Sequence, residues 1–241
     1  MSVGIPRKSK LKSKDNCGVC GRPLIYQTEP ISMRCLFCHK TYDTNIYCAE
    51  GHYVCDSCHE REALDILRQV VSSSISIDPS EILEAIMSHS SVPMHSPEHH
   101  AMVPAVITAA VRNAGYTIPH EAIEHAIIRG AKVPGGWYGF YGACGAAIGV
   151  GIAVSIITEA TSVTGKQWSL AIEATPFVLN KMADGHPRCS KRASRKALEA
   201  AVEFLQDKMG IVLVKRQAIS CNYSRRNQEC PKENCSYYPR K

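Results

Sequence analysis

The chain reads as mainly α-helical, with a small cysteine-rich module at its N-terminus and then an α-helical domain of six or seven helices around a glycine-rich central helix. Three features carry this reading. The stretch from Gly135 to Thr158 holds no charged residue and is longer than any single strand would use. Segments on both sides of it repeat apolar residues at helical spacing. Ahead of them, residues 17–58 carry four short-spaced Cys/His pairs with too little apolar sequence between to build a core.

The bulk properties narrow the class. The 241 residues include 12 cysteines, and the formal net charge is +6. The N-terminal stretch MSVGIPRKSKLKSKDN lacks an apolar signal region, so a cytoplasmic protein is expected. Clustered cysteines in that compartment serve metals or redox chemistry more often than disulfides. We divide the chain into a basic tail (1–14), a zinc-binding module (15–60), a helix and linker (61–77), an α-helical domain (78–216) and a cysteine-containing C-terminal segment (217–241). Arg7, Lys8, Lys10, Lys12 and Lys14 make the tail basic, which allows contact with nucleic acid or an acidic protein partner.

In the module the pairs are Cys17-x2-Cys20, Cys35-x2-Cys38, Cys48-x3-His52 and Cys55-x2-Cys58. Each spacing lets two side chains grip one tetrahedral ion, and eight such ligands suit two Zn²⁺. In a cross-braced arrangement Cys17, Cys20, Cys48 and His52 share one ion and Cys35, Cys38, Cys55 and Cys58 the other. In a sequential arrangement the first four and the last four ligands pair. Spacing does not choose between them. Cys35-Leu-Phe-Cys38-His39 and Cys55-Asp-Ser-Cys58-His59 also fit the haem c attachment pattern, but haem c would leave the other two pairs unexplained. The run CAEGHYVCDSCHE looks like the knuckles of RING- and FYVE-like zinc folds, a likeness of shape alone.

Residues 60–71 read as an amphipathic helix. Asp78 and Pro79 then read as an N-cap and first helical residue. Ser96-Pro97 has the same form, which puts His99 and His100 in a first turn and His95 just outside it. His95-Ser96-Pro97-Glu98-His99 also matches H-x-x-E-H, an inverted zinc-peptidase signature, so a metallohydrolase using His95, Glu98 and His99 is an alternative. That reading needs one continuous helix through Pro97. The next helix puts Ile123, Ala126, Ile127 and Gly130 on one face. In PGGWYGFYGACGAAIGVGIAVSIITEATS, Cys144 falls where a turn becomes a helix, and a thiol there is biased toward thiolate by the helix dipole. The glycines of this helix call for a closely approaching neighbour. A membrane span is not favoured: one glycine-heavy segment lacks aromatic and basic flanks.

A further helix covers 191–209 with a basic first turn and an apolar stripe of Ala197, Ala201, Phe204 and Leu205, closed by Gly210. Beyond it Cys221, Cys230 and Cys235 lie in a polar, turn-rich segment, with Cys189 and Cys144 as the thiols that complete a ligand set. Such thiolates suit Zn²⁺ or an iron–sulfur cluster.

The residues MHSPEHH, VPGGWYGFYGACGAAIG, GHPRCSKRASRKALE and CNYSRRNQEC-x4-C resemble an uncharacterised domain family of methanogenic archaea and anaerobic bacteria, in which a zinc-ribbon-like N-terminus precedes a helical domain. The resemblance implies an anaerobic, cytosolic setting and no particular activity. GACGAAIG is also similar to the Gly-Cys motif of a small family of cysteine proteins proposed to be redox-active, with one cysteine in the motif here.

The functional expectation is a metalloprotein with structural zinc and a second metal site, iron–sulfur or zinc, in a redox or metal-dependent role. Cys144, Cys189, Cys221, Cys230 and Cys235 would hold the cofactor. Cys144, His99 and His100 would act on substrate, and His95, Trp137 and Tyr138 would line the pocket. The alternative is a zinc-containing module without chemistry that binds protein or nucleic acid, the latter through the tail and Arg188, Lys191, Arg192, Arg195 and Lys196.

Overall fold

The computed structural model describes residues 17, 19–55, 63–135, 141–186, 189–215 and 218–240. The chain divides into two compact units, residues 1–55 and 56–241.

The first unit is built on one antiparallel hairpin, β1 (Leu24–Arg34) and β2 (Thr41–Cys48). Pairing runs from Leu24 opposite Cys48 to Arg34 opposite Thr41, with an irregularity between Tyr26 and Ile31. Cys48 therefore closes one end of the hairpin and the Cys35–Cys38 turn closes the other. That turn is shaped by the Cys35 N–H donating to Lys40 O and the His39 N–H to Cys35 O, with His39 left-handed. Among the described residues the buried apolar groups of this unit are four cysteines and Val54.

The second unit holds seven α-helices among its described residues: α1 (Ala63–Ser73), α2 (Pro79–Met87), α3 (Glu98–Asn113), α4 (Ala122–Ala131), α5 (Gly145–Ile157), α6 (Lys166–Met182) and α7 (Ser190–Met209). Local signals set several ends. The Asp78 carboxylate accepts the Ser80 N–H at 2.8 Å, and Pro79 opens α2. Gly210, left-handed, closes α7 with its own N–H on Gln206 O and the Ile211 N–H on Leu205 O.

Two helices share the centre. α3 packs against α1, α2, α4, α5 and α7, and is buried from Ala101 to Val111. The glycine-rich α5 packs against α3, α4, α6 and α7. Its glycines are contact points. A Cβ at Gly149 would lie 2.8 Å from Pro104, and one at Gly151 would lie 2.3 Å from the Thr175 hydroxyl. On α4, Gly130 meets the backbone of α3 in the same way, 2.6 Å from Ala101 Cα.

In the segment read as helix and linker, α1 covers Ala63–Ser73, and its Leu67 and Val71 belong to the aliphatic core of the second unit; the division into units falls after Cys55. Ile211 and Leu213 also enter that core, outside any helix or strand, with the Val214 N–H donating to Ile77 O. No helix among the described residues is long and apolar enough to cross a membrane.

Candidate metal centres and the cavity of the helical unit

The first unit brings its ligand-type side chains into two groups. The ligand atoms of Cys17, Cys20, Cys48 and His52 all lie within 4.8 Å of one another, and so do those of Cys35, Cys38 and Cys55. Cys58 lies outside the described residues. The grouping is interleaved along the chain: first pair with third, second pair with the start of the fourth. Sulfur separations are 3.5 Å for Cys20–Cys48 and 3.7 Å for Cys38–Cys55, and Cys17 Sγ lies 3.8 Å from His52 Nδ1. Both groups could hold a metal ion. Backbone amides support the sulfurs: Glu50 N–H points to Cys48 Sγ and Cys55 N–H to Cys35 Sγ, each at 3.5 Å. The Leu36 N–H donates to Tyr53 O, which carries Cys55 back to the hairpin turn.

The second unit contains a cavity of about 430 Å³. It is lined from α3 by His99 and His100, from α5 by Cys144, from the end of α6 and its loop by Asp184 and His186, and from α7 by Cys189, Arg192, Ser194 and Lys196. Pro97, with φ −63°, starts α3 and so places both histidines in its first turn. His99 is 1% exposed. Its Nδ1 faces Ser96 O at 3.2 Å. The Ser96 hydroxyl lies 3.3 Å from the same nitrogen; donation to the carbonyl, which only accepts, puts the proton on Nδ1 and leaves Nε2 a lone pair. That Nε2 is buried with no partner. Burial, and then the charge of Lys191, depress the His99 pKa to about 3, so the ring is neutral. His100 repeats the pattern, with Nδ1 2.9 Å from Val133 O. Its ring lies over the start of α5, where a Cβ on Gly145 would approach it to 2.3 Å.

Both thiols of the cavity stand at helix N-caps. Cys144 precedes α5 and makes no capping hydrogen bond through its side chain. Cys189 precedes α7, and its sulfur accepts the Arg192 N–H at 3.4 Å. Burial pushes the Cys189 thiol up, against the pull of Arg192. At the rim Asp184 pairs with Lys196 at 2.6 Å and Arg192 at 3.6 Å. Burial would raise its pKa, but the Lys196 and His186 N–H bonds with the Arg192 charge hold it below the usual carboxylate range.

Of the predicted site residues, Cys144, Cys189, His99 and His100 thus surround one cavity. His95 does not line it: the Ser190 N–H donates to His95 Nδ1 at 3.4 Å, and His95 Nε2 donates to Asn227 Oδ1 at 3.2 Å. With α3 beginning at Glu98, no continuous helix joins His95 to His99, so the H-x-x-E-H geometry is absent. Cys221, Cys230 and Cys235 do not line the cavity, and among the described residues they form no ligating group with Cys144 or Cys189. Trp137, Tyr138, Arg188 and the tail lie outside the described residues.

The basic start of α7 is also corrected. Lys191, Arg192 and Arg195 are buried, so they are not a nucleic-acid surface. Arg195 donates two hydrogen bonds to Glu84, at 2.6 and 2.8 Å, between the rings of Tyr223 and Tyr237. Lys191 donates to Met87 O at 3.2 Å over the Tyr223 ring. Burial, followed by the Arg226 and Arg195 charges, lowers its pKa to about 7. Sequence reading missed Glu84 because its partner is distant in the chain. One signal was available: basic residues in a first helical turn oppose the helix dipole, so another contact had to hold them there.

The fold and its site define a mainly helical protein with an N-terminal pair of potential metal-binding clusters. Residues 67–238 match a family of unknown function (DUF5714), and the chain belongs to that family. No curated protein and no solved structure matches it.

Proposed function

We propose that the chain is a metalloprotein of two parts: an N-terminal module held by two structural zinc ions, and a helical unit whose cavity serves a redox or metal-dependent reaction in the cytoplasm. What carries the zinc reading is the spacing of the ligand atoms. Tetrahedral zinc with Zn–S of about 2.3 Å sets its sulfurs about 3.8 Å apart. The two sulfur–sulfur separations, 3.5 Å for Cys20–Cys48 and 3.7 Å for Cys38–Cys55, lie close to that value before any ion is considered, and His52 Nδ1 stands 3.8 Å from Cys17 Sγ. Four protein ligands close a zinc site, so the module supplies stability rather than chemistry. Cys58 is the natural fourth ligand of the second group.

The placement of Cys221, Cys230 and Cys235 gives an iron–sulfur cluster no support. Metal analysis of anaerobically purified protein tests the zinc reading. The expected result is about two zinc bound by the module, lost together with its structure on Cys20→Ser or Cys38→Ser. Zinc content unchanged by both substitutions would refute it.

A further inference from the structure

We propose that the cavity of the helical unit is a separate, open transition-metal site, with His99 Nε2 and the thiolates of Cys144 and Cys189 as ligands and His100 Nε2 beside them. The inference rests on the cavity being the working site and is independent of the zinc module.

The strongest observation is His99 itself. Its side chain is 1% exposed, and its Nε2 lone pair, in a residue lining the cavity, has no hydrogen-bond partner. Buried polar atoms are rarely left unpaired, and one facing a cavity marks a missing ligand. A lone pair accepts from a hydrogen-bond donor or binds a metal. The surroundings favour the metal. Metal-ligating histidines characteristically give their other ring N–H to a carbonyl, which fixes tautomer and orientation. His99 does so to Ser96 and His100 to Val133. The His100 ring is also fixed sterically, since only glycine fits at position 145 beneath it. Two thiols complete the set. They line the same cavity from the N-caps of α5 and α7. Imidazole and thiolate together select zinc or iron(II) over magnesium or calcium.

The site differs from the module in being open. Among the described residues its ligand atoms are not drawn within 4.8 Å of one another, and 430 Å³ is far more space than an ion fills. Binding therefore draws the thiols inward by side-chain rotation and leaves room for a small polar molecule at the metal. Ser194, whose hydroxyl is buried and unpartnered, is a residue of the same lining.

The test uses full-length protein loaded with cobalt(II) or zinc without oxygen. Wild type is compared with Cys144→Ser, Cys189→Ser, His99→Gln, the module variant Cys20→Ser and the control Cys230→Ser. The proposal expects each cavity variant to lose about one metal equivalent and part of the thiolate-to-cobalt absorption, while Cys230→Ser changes neither. Loss of the module's metal in Cys20→Ser, with the cavity equivalent retained, separates the two sites. If Cys20→Ser loses nothing but the cavity variants do, the zinc-module reading fails and this one stands. Full metal content in folded cavity variants overturns it. Should those variants not fold, alkylation of the wild type decides: bound metal must protect Cys144 and Cys189 specifically, and equal labelling with and without metal contradicts the proposal.

Discussion

The module and the helical cavity both gather cysteine and histidine, yet they are held together in opposite ways. The module draws its ligands from residues 17–55 and has almost nothing else inside it: four cysteines and Val54 are its buried apolar groups among the described residues. The cavity draws its thiols and imidazoles from His99 to Cys189, in a unit that has a large aliphatic core of its own. In the first case, on the proposed reading, metal binding would supply the folding free energy. In the second the fold exists first and offers the ligands a place. A closed structural site and an open working site are what these two energetic situations favour.

Metal removal should break the comparison open most widely. A chelator is expected to abolish the protection of hairpin amides in residues 19–55 while leaving the helical far-UV signal intact, because on the proposed reading zinc binding, worth about 10–16 kcal/mol, would be the module's folding energy. Hydrogen exchange reads this directly; retention of hairpin protection without metal would contradict it. The buried pair comes next. Glu84→Gln leaves the Arg195 guanidinium buried without its carboxylate and should destabilise the helical unit by about 3–5 kcal/mol, measured by denaturant unfolding. Glu84→Leu together with Arg195→Met should recover most of that loss.

A smaller effect is expected for Gly145→Ala. The new Cβ collides with the His100 ring, and overpacking of this kind costs about 1–3 kcal/mol. The new Cβ would meet His100 Nε2 as well as the ring carbons, so weakened cavity-metal affinity in this variant would tie metal binding to the position of that ring. The smallest effect is at Asp184. Its folded pKa lies below the unfolded value, so its ion pairs stabilise the protein above the ordinary carboxylate range and cease to do so as pH falls through that range and below it. The Tm difference between wild type and Asp184→Asn should shrink on acidification through about pH 4; a difference independent of pH would rule out the ion-pair origin.

How much was legible in the sequence follows the same divide. The four pairs could be read because each spans only a few residues, but their mutual pairing depends on hairpin register, which spacing does not encode. The caps at Asp78 and Gly210 are local and appear where expected. The glycines of α5 signalled close approach, and Pro104 and Thr175 are the neighbours. The fate of Lys191 and Arg195 was hidden, because a basic turn looks solvated until Glu84 and the two tyrosines arrive from elsewhere in the chain. The C-terminal cysteines show the limit of nearness in sequence: the Cys221 N–H donates to Tyr237 O, two residues from Cys235, and Cys230 Sγ accepts the Lys232 N–H, but among the described residues the three form no ligating group. His95 looked like a third cavity histidine and instead joins Ser190 to Asn227.

The interleaving of the module's ligands is tested most directly by cadmium NMR of the cadmium-loaded full-length chain, with correlations to the cysteine β-protons. The account predicts one cadmium coupled to Cys17, Cys20 and Cys48 and another coupled to Cys35, Cys38 and Cys55. A single cadmium correlating with Cys17, Cys20, Cys35 and Cys38 together would contradict it.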